Sequence, residues 1–296
     1  MSELLSRRAV LLGGSALAFM AACGKKSDKT IKVGHTSTTQ GQKNELSTVL
    51  AGSMLLAGIQ ERVTFALFQG VPATLVGADS AVHVAFQKPG TNEFSEPIEA
   101  ERKSAGIEDR PYYMVHYTFD EPGNWGLRAT VDGKTPGDAA LTINDPAKVE
   151  WPVPGKPLFA VQTPTVDNTM DVNPICTRAD GTCPFHTTSL DAVLGKNGKP
   201  TVALLATPAL CQSATCGPVL EILMADSEAV RDKLNIVHVE VYSDMTGKTL
   251  SPAFAAFHTD SEPVMYLADK HGVVTERFNG PFDKTEAADA LQRLLA

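Results

Sequence analysis

A buried-type run, Thr201–Ala206, enters a turn that carries Cys211 and Cys216 and leaves it as a helix opened by Cys216-Gly217-Pro218. This unit constrains the fold more than any other stretch of the chain. A short continuous apolar run reads as a strand covered on both faces. Proline in the first turn of the segment that follows is a helix-start signal. Val219, Leu220, Ile222 and Leu223 then recur at helical spacing. A helix N-terminus presents free N–H donors and partial positive charge, which favour a thiolate. Two cysteines on such a strand-to-helix turn form either a thiol–disulfide centre or a staple that pins the turn.

Which of these holds depends on compartment, and the first residues bear on that. Ser6-Arg7-Arg8-Ala9-Val10-Leu11-Leu12 is followed by an apolar run, Ala9–Ala22. That run is shorter than the ~20 residues a spanning helix needs. The charged stretch resembles the twin-arginine export motif, and Met20-Ala21-Ala22-Cys23 resembles a bacterial lipobox. The resemblance implies that a signal peptide, residues 1–22, is removed. Cys23 then carries lipid (palmitate among its acyl groups) as the new N-terminus, and the protein sits on the extracytoplasmic face of the cell membrane. An ordinary signal peptide or an uncleaved anchor is the alternative. Residues 23–30, with Lys25-Lys26-Ser27-Asp28-Lys29, read as a polar tether. Disulfides persist outside the cytoplasm. Losing two arginines and one glutamate with residues 1–22 takes the net charge from −8 to −9. Such an acidic chain has no electrostatic reason to bind nucleic acid or an anionic bilayer.

The remaining length, about 270 residues, suggests two domains. Composition marks the join. Six prolines fall between Asp145 and Pro174, so residues 146–186 read as a stiff connector. Upstream, residues 31–145 hold short runs separated by turn residues: Val63–Phe68, Val82–Phe86, Tyr112–Phe119, Trp125–Val131 and Ala140–Ile143. Strands at this spacing predict an antiparallel sandwich. The Phe119-Asp120-Glu121-Pro122-Gly123-Asn124-Trp125 corner resembles immunoglobulin-like domains of bacterial envelope proteins. His83 and His116 lie within strands and lack the converging donors of a metal site. Residues 34–60 give no clear pattern.

Downstream, residues 187–296 switch period. Ser189–Leu194 predicts a short helix with Ser189 as its cap. Thr201–Ala206 is a strand, and the helix after Cys216 extends to Val230 and Leu234. Ile236–Tyr242 is a strand, Val264–Ala268 and Val273–Phe278 form a hairpin, and Ala287, Leu291, Leu294 and Leu295 mark a closing amphipathic helix. This α/β order, with Asn173-Pro174-Ile175-Cys176, Cys183-Pro184-Phe185-His186, Cys211 and Cys216-Gly217-Pro218-Val219, resembles the thioredoxin-like superfamily. It is closest to the thioredoxin-domain lipoproteins of actinobacteria. The resemblance implies a mixed sheet with helices on both faces, exchange of thiols and disulfides with envelope proteins, and a cis proline at Glu262-Pro263 that shapes a peptide-binding edge.

The departures from that family matter. Thioredoxin has Cys-Gly-Pro-Cys; here Val219 stands in place of the second cysteine, and the partner thiol is upstream at Cys211. Cys216, at the helix start, is then the nucleophile and Cys211 resolves. Thr207-Pro208 before Cys211 also resembles peroxiredoxin, and on that version the roles reverse. Both assignments stay open.

Cys176 and Cys183 flank a loop with an Asp180-Gly181 turn signal, and a structural disulfide is the expectation in an oxidising compartment. A zinc site with His186, or a second redox pair feeding Cys211 and Cys216, is the alternative; zinc lacks a fourth ligand nearby. Sco-type copper chaperones are thioredoxin-like, but their histidine position falls on Ser261 here. His258, His238 and Met245 are the other candidate copper donors. Catalytic residues are therefore expected at Cys211, Cys216 and Pro263, with no metal and no organic cofactor assigned. Copper delivery and a non-catalytic adaptor are the rival readings.

Overall fold

The computed structural model describes residues 47–69, 74–77, 79–135 and 138–296. The export segment, the tether and Cys23 lie outside these residues. All the described residues fall within one unit.

The upstream part is all β. Its strands are β1 (Ser47–Leu50), β2 (Leu55–Leu56), β3 (Gln60–Gln69), β4 (Thr74–Leu75), β5 (Val82–Gln87), β6 (Ile98–Glu99), β7 (Glu101–Lys103), β8 (Tyr112–Thr118), β9 (Gly123–Val131) and β10 (Ala139–Asn144). They form two five-stranded sheets, one in the order β1-β3-β8-β7 with β4 also on β3, the other β2-β10-β9-β5-β6. Alternate side chains of both sheets enter one core: Phe65 and Leu67 from β3, Val84 and Phe86 from β5, Leu127 and Ala129 from β9. Each of these buried Phe, Leu and Val side chains contributes about 1.5–3 kcal/mol. The corner before Trp125 is closed by the indole, whose Nε1 donates to Glu121 O at 3.0 Å. Trp125 also packs edge-on against Phe119, with ring centroids 5.1 Å apart.

The downstream part follows the expected element order. Its elements are α1 (Leu190–Val193), β11 (Thr201–Leu205), α2 (Cys216–Ser227), β12 (Asn235–Val239), α3 (Pro252–Ala255), β13 (Val264–Ala268), β14 (Val274–Asn279) and α4 (Lys284–Leu295), and the four strands make one mixed sheet, ordered β12-β11-β13-β14. β11 pairs parallel with β12 and antiparallel with β13. The period-2 geometry of a strand explains why β11 is buried throughout. Val202 and Leu204 face α2 and α4, sharing a core with Val219, Leu223 and Leu291. Ala203 and Leu205 face the other way, toward Leu190, Phe254 and Phe257.

Three local expectations differ from what forms. Ser189 precedes α1 but does not cap it; its Oγ accepts from Thr163 N at 2.8 Å instead, holding the connector. The helix after Cys216 ends at Ser227 and continues as a 3₁₀ segment, Glu228–Lys233. β12 stops at Val239, because Val241 N turns to Thr207 Oγ1 at 2.8 Å.

The two parts are packed against each other. β8 alternates between them: Tyr113 and Val115 enter the sandwich core, whereas Tyr112 and Met114 enter the core of the α/β part. Two ion pairs are buried at the join, Arg62 with Glu286 (2.6 Å) and Arg277 with Glu61 (3.0 Å). Tyr112 Oη donates to the same Glu286 carboxylate. Backbone approaches backbone at Gly280 (φ +89°), where a Cβ would sit 2.2 Å from Ala51 O. The proline-rich connector runs along the β13–β14 hairpin, with Gly155 N donating to Val274 O and Leu158 N to Gly272 O, each at 2.8 Å.

Candidate active site

Strand β11 ends at Leu205, and the chain enters the cysteine turn through buried Thr207. Leu210 N and Cys211 N both donate to Thr207 O, at 3.2 and 3.0 Å, which winds the chain after Pro208 into a tight turn. Ala214 completes it at φ +53°. Cys216 is the first residue of α2. Cys211 and Cys216 are joined by a disulfide with Cα atoms 6.0 Å apart, within the span such bonds need. Cys211 is partly exposed, with Ser213 Oγ 3.1 Å from its sulfur, whereas Cys216 is fully buried.

The third group at this turn is Glu262. Its Oε2 lies 3.5 Å from Cys216 Sγ and accepts from Thr207 N at 2.8 Å. Burial raises this carboxyl to about 7, against the lowering effect of the Thr207 N–H; the nearby Glu240 charge raises it further. The following peptide bond, Glu262–Pro263, is cis, and Pro263 leads directly into β13. Sequence reasoning named Pro263 but gave Glu262 no role. The only signal was its place beside that proline.

A second cluster lies beside this turn, where His238 Nε2 is 2.9 Å from Ala206 O and Thr177, next to Cys176, accepts from Ala209 N at 3.1 Å. Cys176, Cys183, His186 and His238 are all buried, with one ligand atom from each lying within 4.8 Å of the others. The expected Cys176–Cys183 disulfide is not present: both thiols are free. Their sulfurs face an imidazole instead, Cys176 Sγ at 3.8 Å and Cys183 Sγ at 3.5 Å from His238 Nδ1. His186 Nε2 is 3.0 Å from the same Nδ1. Cys183 donates toward Cys176, and together with His186 and His238 it draws the Cys176 thiol far below its usual value. The bond to Cys176, with burial, pushes Cys183 up. From sequence, His238 stands only as a candidate copper donor to the other pair.

The remaining copper candidates lie elsewhere. Met245 is 51% exposed, and His258 is exposed with its Nδ1 4.0 Å from Glu150. Ser261 bonds Asn279. Among the described residues, the donor grouped with Cys211 and Cys216 is Glu262, and no imidazole joins them.

No protein-family model matches this chain, and no curated protein does. Among solved structures, it is similar to a thiol:disulfide interchange protein of the thioredoxin family from Chlorobium tepidum TLS, at 13% identity over 48% of this chain and 97% of that one, with a TM-score of 0.33. A candidate lipoprotein from Bacillus anthracis aligns at 12% identity over 40% of this chain and 88% of that one, TM-score 0.25. The filamin domain of Lin-41 aligns at 16% identity over 33% and 91%, TM-score 0.22.

Proposed function

We propose that this protein is an envelope thiol–disulfide oxidoreductase, anchored through lipid on Cys23 at the extracytoplasmic face. Its α/β part is thioredoxin-like and carries the chemistry. The immunoglobulin-like sandwich serves as a spacer or recognition module. The observation that carries this reading is the Cys211–Cys216 disulfide at the start of α2, with a buried carboxyl 3.5 Å from Cys216 Sγ.

Exposure supports a division of roles. Cys211 is the sulfur a protein substrate reaches; Cys216 is buried. In the reduced state the Cys211 thiolate attacks a substrate disulfide. The substrate S–S bond breaks, one substrate thiolate leaves, and a mixed disulfide forms. Glu262 takes the proton of Cys216, whose thiolate then attacks Cys211 Sγ and releases the second substrate thiolate. Two electrons pass from the pair to the substrate. Run in reverse, the protonated Glu262 returns its proton to Cys216 as that sulfur leaves. A carboxyl near 7 can act in either direction at neutral pH.

The test is the reduction potential of the Cys211–Cys216 pair, read by alkylation in redox buffers. A value above about −300 mV supports exchange. A lower value, where structural disulfides lie, makes the pair a staple and the protein an adaptor.

A further inference from the structure

We propose that Cys176, Cys183, His186 and His238 form a tetrahedral zinc centre, separate from the Cys211–Cys216 pair. The geometry carries it. With Zn–S near 2.3 Å and Zn–N near 2.0–2.1 Å, a regular tetrahedron sets each sulfur about 3.6 Å from each nitrogen and the nitrogens about 3.3 Å apart. The two sulfurs lie 3.8 and 3.5 Å from His238 Nδ1, and the two imidazole nitrogens are 3.0 Å apart. The three edges that meet at His238 Nδ1 therefore already have about the lengths of a zinc tetrahedron, and all four donor atoms lie within 4.8 Å of one another.

Tautomer chemistry points the same way. His238 Nε2 lies 2.9 Å from Ala206 O, and a carbonyl can only accept, so Nε2 carries the proton. In the neutral ring, the form that binds a metal, Nδ1 is then the lone pair, and it faces two sulfurs and a second imidazole. A histidine that donates its outer N–H to a backbone carbonyl and offers the other nitrogen inward is the common arrangement of a metal ligand. Two thiols and two imidazoles form a donor set suited to zinc, and their complete burial closes the site. No position is left open for substrate, so the centre holds structure and performs no chemistry.

It also explains what the connector does. Cys176 and Cys183 lie on an irregular segment, His186 ends a 3₁₀ turn and His238 is in β12. The ion would clamp that segment to the central sheet. The same loop is fastened by Thr177, whose N and Oγ1 donate to the Glu240 carboxylate at 2.5 and 3.2 Å. Thr177 Oγ1 accepts from Ala209 N at 3.1 Å, inside the cysteine turn.

The test is metal analysis of the full-length protein purified in detergent, without added chelator, from zinc-supplied cells. One zinc per chain is expected. Cys176→Ser and His186→Gln should each lose it, and Cys211→Ser/Cys216→Ser should keep it. Replacing zinc by Co(II) in the wild-type protein should give the visible bands of a tetrahedral ion with thiolate charge transfer, which requires no variant to fold. Bound zinc should also shield two thiols from alkylation until a chelator removes it. Wild-type protein that holds no zinc and takes up no Co(II) after reduction would overturn the proposal. So would a Cys176–Cys183 disulfide found by mass spectrometry of the native protein, zinc that leaves with the Cys211/Cys216 variant, or a site that takes Cu(I) but not zinc.

Discussion

The Glu262 carboxylate stands 3.5 Å from Cys216 Sγ, held there by the Thr207 N–H, with burial raising it to about 7. A buried sulfur with an adjacent carboxyl can gain or lose a proton without opening the turn to water.

Glu262→Gln should keep the disulfide and lose proton transfer. General acid–base contributions of this kind are about 10²–10⁴-fold. Exchange with a small dithiol substrate should slow by that order. Release of the mixed disulfide in the wild type should rise with pH through about 7 and then level; in the variant that step should vanish from the pH–rate profile. An unchanged profile would remove Glu262 from the mechanism.

The same carboxyl sets a pH dependence of stability. Its folded value, about 7, lies above the ordinary 4.5, so the folded state holds the proton more tightly. The stability this contributes is full below about 4.5 and is lost as pH rises to about 7 and beyond. The shift corresponds to about 3 kcal/mol. Urea unfolding of oxidised wild type at pH 5 and pH 8, compared with Glu262→Gln, should show the variant losing less between the two.

Cys211 and Cys216 should separate in trapping experiments. Cys216→Ser leaves the exposed thiol able to attack and unable to resolve, so it should accumulate mixed disulfides with envelope proteins, visible on non-reducing gels. Cys211→Ser should trap nothing. The reverse pattern would make Cys216 the attacking residue and require the turn to open.

The join between the two parts rests on buried charge. Arg277 reaches Glu61 at 3.0 Å and also bonds Met54 O, with its side chain 1% exposed. Removing one partner of a buried pair leaves an uncompensated charge and costs about 3–5 kcal/mol. Arg277→Ala should therefore lower the thermal midpoint strongly. Replacing both partners with apolar residues, Arg277→Met with Glu61→Leu, should recover much of the loss. Equal losses in the single and double variants would mean that the charge itself is dispensable.

At the start of α4, Asp283 accepts from Glu286 N at 3.0 Å while Glu286 accepts from Asp283 N at 3.3 Å, a reciprocal capping box. Asp283 also accepts from Ser104 N and Ala105 N of the sandwich, both at 3.2 Å. A lost cap alone costs about 1 kcal/mol. Asp283→Ala should exceed that figure in denaturant unfolding because three backbone donors, Glu286 N, Ser104 N and Ala105 N, lose their acceptor together; a loss near 1 kcal/mol would mean the sandwich contacts add nothing.

What the sequence by itself determined is local. Strands β3, β5, β8, β9 and β10, the β13–β14 hairpin and helix α4 follow from apolar period, because each side chain's face is set by its own position in the chain. The Cys211–Cys216 turn belongs to the same class, since it lies within a short stretch; the cis bond before Pro263 is expected only through the family resemblance. The tertiary structure decided everything that depends on pairs far apart. Cys176 meets His238 across 62 residues, Cys216 meets Glu262 across 46, and Arg277 meets Glu61 across 216. Periodicity carries no information about such meetings. A close cysteine pair reads as a disulfide until a strand brings an imidazole against both sulfurs. β12 does this here, because its pairing with β11 places His238 opposite Leu204, with its ring toward Ala206 O and the buried thiols.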